Sequence, residues 1–236
     1  MNAEAGPPRE KMETKELQEN ARRLLARVKQ LGGEAGHDVI LLAASKTRNK
    51  EEIRAVIEAG ISFLGENRAD ELKAKDEEGA YDGAHLHFIG TLQSNKAKVL
   101  VGRAELIHSL CTESAAEAVE KAAAKLGIRQ KVLIEIHVGN EETKSGVPLA
   151  EAEAFAASLG KYPHVDLRGF MCVPPAGEDP TPYFESVAAL YRRLRPVYAL
   201  DTLSMGMTHD YEKAIRAGAN LVRIGTALFG ERNYAR

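Results

Sequence analysis

Short apolar stretches alternate with charged, alanine-rich stretches along this chain, and that alternation restricts its fold more than any other property. Strands are predicted at 39–44, 62–65, 86–89, 105–109, 132–138, 166–171, 202–204 and 221–224. Between them, helical periodicity predicts helices near 50–59, 68–77, 95–101, 114–126, 149–159, 182–194 and 210–217. A further amphipathic helix precedes them all: Leu17, Ala21, Leu24, Val28 and Leu31 recur at helical spacing, and Gly32 and Gly33 are expected to end the run. Asn49 followed by Glu52 reads as a capping box. Gly60, Gly127 and Gly218 stand where helix ends favour a left-handed residue.

Eight predicted strands in strict alternation with helices fit a single α/β (β/α)8 TIM barrel with an extra N-terminal helix. An open doubly wound sheet fits less well, because no GxGxxG follows a first strand. The length of 236 residues suits one barrel domain over 11–236, after a flexible polar tail over 1–10. A formal net charge of −2, with Lys and Arg spread along the chain, gives no electrostatic case for nucleic acid or an anionic membrane. The two cysteines, Cys111 and Cys172, form no CxxC and have no zinc-like histidine spacing, so both are expected to be buried free thiols. With neither a signal-like N-terminus nor a membrane-length apolar run, the expected compartment is the cytoplasm.

In a barrel, chemistry collects where strands end and loops begin. The most telling such residue is Lys46, directly after the apolar run 39–44. Partial desolvation at that point favours a neutral, nucleophilic amine and makes Lys46 an aldehyde-capture candidate. The competing reading is a strand-end lysine reaching to solvent. The loops after the last two predicted strands contain Ser204, Met205 and Gly206, then Gly225 and Thr226. Glycines and hydroxyls in those loops suit an anion such as phosphate, and they equally suit tight capped turns. Arg223 interrupts an apolar strand and must meet an acceptor, either a ligand atom, a carbonyl or a carboxylate such as Glu135. An amine, phosphate donors and an arginine on one rim describe a pocket for pyridoxal 5′-phosphate (PLP). Lys144 is a further anion-contact candidate, while His87 and His108 read as hydrogen-bonded core histidines.

The ordered motifs LLAASKT, FLGEN, HFIGTLQSNK, IEIHVGNEETKSG, GFMCVPP, TLSMGMTHD and VRIGTALFGER run from Val39 towards Tyr234. They resemble the YggS/PROSC family of PLP homeostasis proteins, whose fold is similar to the N-terminal barrel of alanine racemase. The resemblance implies that Lys46 carries PLP as a covalent aldimine. It further implies that Ser204, Gly225 and Thr226 hold the phosphate, that Met205 is a further cofactor-binding residue, that Asn67 lies beside the cofactor, and that Arg223 faces the pyridine nitrogen. Two departures, Thr91 and the pair Thr208 and His209, are expected to alter local loop shape without touching the cofactor contacts.

An arginine at the pyridine nitrogen disfavours pyridinium and weakens the ring as an electron sink. The racemase's second base comes from an additional domain, and the chain stopping at Arg236 is expected to lack it. The implied role is therefore a non-catalytic, monomeric protein that holds PLP, and other B6 vitamers, on Lys46. It would buffer the cofactor or deliver it to PLP-dependent apo-enzymes, with effects on amino-acid balance. The alternatives are a racemase-like enzyme of low activity or a Schiff-base aldolase acting on another phosphorylated carbonyl compound.

Overall fold

The computed structural model describes residues 12–139 and 145–230. The expected tail at 1–10, and with it Asn140 and Lys144, lies outside the described residues.

All eight predicted strands form: β1 (Ile40–Ala44), β2 (Phe63–Glu66), β3 (His85–Phe88), β4 (Leu106–Leu110), β5 (Gln130–His137), β7 (Val165–Cys172), β8 (Thr202–Ser204) and β9 (Leu221–Ile224). Every pairing is parallel, and the β4–β5 pairing closes the ring. The last strand meets the first with Leu42 opposite Arg223. A ninth short strand, β6 (Val147–Pro148), adds to β5 beside the ring. It carries no alternating pattern, because it is two residues long and one of them is proline.

The strands are buried on both faces, as expected where helices cover a closed parallel sheet. On β5, Val132, Ile134 and Ile136 join the core shared with the helices, while Leu133 packs with Leu106 and Met171 in a separate cluster. Successive residues therefore alternate between the helix layer and the barrel interior.

The outer layer comprises α2 (Lys50–Glu58), α3 (Ala69–Glu77), α4 (Ala97–Leu100), α5 (Glu113–Leu126), α6 (Ala152–Ser158), α7 (Thr181–Tyr198) and α8 (Tyr211–Ala217). A short α9 (Thr226–Phe229) follows β9. The N-terminal helix α1 (Thr14–Ala35) buries Leu17, Ala21, Leu24, Val28 and Leu31 and packs against α2, α8 and α9. It runs past the glycine pair expected to stop it and ends at Gly36, the residue in the left-handed region with φ 78°. The Asn49–Glu52 capping box forms, and Gly60, Gly127 and Gly218 all have positive φ. Cys172 is buried, whereas Cys111, expected to be buried too, is only half-buried. No helix among the described residues is long and apolar enough to cross a membrane.

Candidate functional site

The strand ends enclose a cavity of about 290 Å³. Its polar wall is made by Lys46 and Arg48 after β1, Asn67 after β2, and Arg223, Gly225 and Thr226 at the end of β9. Its apolar wall is Ala44, Ile89, Met171 and Val173, with Met207, Thr208 and His209 contributed by the loop after β8. A small cavity with convergent polar groups at this end of a barrel is the usual form of a ligand site.

Lys46 sits in a tight turn closed by the Arg48 N–H donating to Ser45 O at 3.0 Å. Thr47, in the same turn, has φ 66°, a left-handed conformation that β-branched residues rarely adopt. Ser45 is fully buried, and its hydroxyl donates to Glu66 Oε1 at 2.8 Å. Arg48 is anchored away from the turn by donating to Gly230 O at 3.1 Å and lying over the Phe229 ring.

Asn67 is placed by a close approach of two backbones. A Cβ built on Gly90 would lie 1.9 Å from Asn67 O, so only glycine lets the β3 end pass there. The Asn67 Oδ1 atom is buried and has no hydrogen-bond partner among the described residues. Such an orphan is what a ligand in the cavity would satisfy.

Arg223 is almost fully buried. Its Nη1 donates to Ser204 O at 2.9 Å and to Ser204 Oγ at 2.6 Å, and its Nη2 donates to Cys172 O at 3.0 Å. A guanidinium has five N–H donors, so hydrogens remain to face the cavity that it lines. Of the acceptors weighed from the sequence, carbonyls take its protein-side bonds, together with the Ser204 hydroxyl, which was not among those weighed. Glu135 instead accepts from Ser145 Oγ at 2.9 Å and forms no ion pair with Arg223 among the described residues.

Ser204 and Met205 are fully buried beneath this layer and do not line the cavity. The Ser204 hydroxyl lies 3.1 Å from His108 Nδ1, and His108 Nε2 lies 3.0 Å from His87 Nδ1. Because arginine only donates, the serine proton is left to find an acceptor, and His108 Nδ1 is the one in reach. The chain of donors then runs from Arg223 through Ser204 and His108 to His87, with both imidazoles neutral. Burial favours the same state, holding His87 down at about 4 and His108 well below its ordinary value. The two histidines are thus the hydrogen-bonded core residues that the sequence suggested.

The matching family model, that of the alanine racemase N-terminal domain, covers residues 14–233. A curated "Pyridoxal phosphate homeostasis protein" of Aquifex aeolicus is 44% identical over 225 residues, with 92% of this chain and 98% of the relative covered. This chain belongs to the pyridoxal phosphate homeostasis family. The Escherichia coli K12 protein of the same name is 35% identical over 212 residues, covering 86% of this chain and 90% of its own.

Solved structures share this fold. PipY of Synechococcus elongatus, a COG0325 family member solved with PLP bound, superposes with a TM-score of 0.79 at 29% identity, covering 91% of this chain and all of PipY. Alanine racemase of Clostridium difficile shares the fold, with a TM-score of 0.72 at 17% identity, and this chain covers 58% of it.

Among the residues expected at the site, Lys46, Asn67, Arg223, Gly225 and Thr226 come together around one cavity, and Ser204 and Met205 lie below it. Thr208 and His209, expected to leave the contacts untouched, line the cavity; Thr208 Oγ1 also accepts from the Ala227 N–H at 3.2 Å. This loop can fold back because Gly206 has φ 92° and lies where a Cβ would meet Tyr211 Cα at 2.8 Å. Met171 and Val173 were also missed as lining residues. No polar and apolar alternation marks which side chains of a strand buried on both faces point inward, so the sequence carried no signal for them.

Proposed function

We propose that this protein binds PLP reversibly through a Schiff base on Lys46 Nζ, and buffers the cofactor or delivers it to PLP-dependent apo-enzymes. The observation that carries the reading is the convergence of Lys46, Asn67, Arg223, Gly225 and Thr226 from three strand ends on one cavity. The relatives' shared name and the PLP-bound PipY structure support it. When bound, PLP supplies an aldehyde for an amine and an electron-withdrawing ring.

The residues present suit that group. Lys46 supplies the amine, and Gly225 with the Thr226 and Thr208 hydroxyls suits a phosphate. Arg223 presents donors to the pyridine nitrogen and holds its own orientation through Ser204 and Cys172. Asn67 Oδ1 gains a partner. Ser204 acts in this scheme through Arg223. The protein acts in the cytoplasm as a monomer, and binding rather than catalysis is its role.

Purified protein given PLP should develop the visible absorbance of a protonated Schiff base and become irreversibly labelled on Lys46 by borohydride, while Lys46→Ala should do neither. Absence of both in the wild type would sink the reading. The fold shared with alanine racemase favours a second reading, a racemase of low activity. Saturable α-proton exchange of an L-amino acid in deuterium oxide, faster than with free PLP, would favour that alternative.

A further inference from the structure

Around the Lys46 turn, made by residues that do not line the cavity, lies a charged cluster with no role so far. Glu71 and Lys75 stand one turn apart on α3 and therefore project from the same face. Lys75 Nζ donates to Glu71 Oε1 at 2.7 Å, to Glu66 Oε1 at 2.8 Å and to Ser45 O at 2.9 Å, which uses all three ammonium hydrogens. Glu66 is fully buried and its Oε1 also accepts from Ser45 Oγ and Tyr81 Oη, each at 2.8 Å. Glu71 Oε1 in turn accepts from the Thr47 N–H at 2.6 Å.

The two peptide groups flanking the Lys46 Cα are thus both tied to one cluster. The preceding one is held through Ser45 O by Lys75, and the following one through the Thr47 N–H by Glu71. Fixing both planes fixes the backbone angles between them, and so the direction in which the Lys46 side chain leaves the chain. Thr47 holds a φ of 66°, which threonine does not keep without support from its surroundings.

We propose that Glu71 and Lys75 are positioning residues: they clamp the turn around Lys46 in a left-handed geometry that aims its amine at the carbonyl carbon of a bound aldehyde. This rests on the proposed PLP reading. Neither residue lines the cavity, so neither touches the ligand. Amine attack requires near-contact alignment, whereas holding phosphate and ring does not depend on where the amine points.

The test uses the full chain and two probes, PLP and 4-deoxypyridoxine 5′-phosphate, which lacks the aldehyde. Glu71→Ala should slow borohydride-trappable capture of PLP by about tenfold or more while leaving affinity for the deoxy analogue within about twofold. Adding Thr47→Gly should restore much of the capture rate, because glycine takes a positive φ unaided. Because glycine also relieves strain at this φ and so stabilises the fold, urea unfolding of Glu71→Ala with and without Thr47→Gly is measured alongside, and capture restored only in proportion to stability overturns the clamp. Lys75→Met should slow capture in the same way and also destabilise the fold, because it leaves the fully buried Glu66 without its cation. Unchanged capture, a parallel loss of analogue affinity, or no rescue would overturn the clamp. If the wild type captures no PLP, the functional reading fails and the clamp is judged by NMR at Thr47. Its φ should be positive in the wild type and negative in Glu71→Ala, and a positive φ in both refutes the clamp.

Discussion

Arg223 Nη1 donates to Ser204 Oγ at 2.6 Å, which commits the serine hydroxyl to the guanidinium rather than to the cavity. Ser204→Ala should therefore act on stability. It leaves His108 Nδ1 without a donor in a fully buried place, a loss of roughly 1–3 kcal/mol in urea unfolding. PLP affinity should fall less in Ser204→Ala than in Thr226→Ala, where a hydroxyl of the cavity wall is lost.

Arg223→Glu places a carboxylate against Ser204 O and Cys172 O, both of which only accept. Leaving a buried charge unpaired in this way is expected to destabilise by about 3–5 kcal/mol. Arg223→Gln, which keeps an amide donor, should fold and bind PLP with altered absorbance. Thermal unfolding of the two variants side by side checks the contrast.

The buried imidazoles make the fold sensitive to acid. His87 is held at about 4, and His108 also lies well below the ordinary 6.5, so on acidification the unfolded chain binds these protons before the folded one. Their contribution to stability is complete above about pH 6.5 and is lost as the pH falls towards about 4. Glu66 and Glu135, raised by burial, act in the opposite sense, and their contribution fades as the pH rises. His87→Asn, whose Oδ1 stands in for the accepting Nδ1, should flatten the acid-side loss in denaturation midpoints measured across pH.

Gly90→Ala would drive a Cβ into the Asn67 carbonyl, and backbone cannot yield as a flexible side chain does. A loss of about 1–3 kcal/mol is expected, together with weaker PLP binding, because Asn67 is displaced from the cavity wall. Calorimetry with and without PLP separates the two effects.

Strand positions and most helix limits were legible because most strands centre on a short, largely apolar stretch between helical periods. Lys46, Asn67, Arg223, Gly225 and Thr226 were legible for a related reason: they are polar interruptions at the ends of such runs. The apolar wall of Met171 and Val173 was not, since inward and outward residues of a doubly buried strand look alike in one dimension. Ser204 was read as a loop hydroxyl, although its side chain turns inward to Arg223 and His108. Glu66 stands at a strand end where chemistry is expected, while nothing in the helix pattern singles out Glu71 and Lys75. Only the packing of α3 against the Lys46 turn gives them a common partner.

The pairing of β9 with β1 has a consequence in time. The amine at Lys46 leaves the ribosome early, while Arg223, Gly225 and Thr226 arrive with the final strand, which must dock beside the first. A chain still lacking its last strand therefore carries Lys46 and Asn67 but not Arg223, Gly225 and Thr226. On the proposed PLP reading, tight retention of the cofactor would report that the ring has closed.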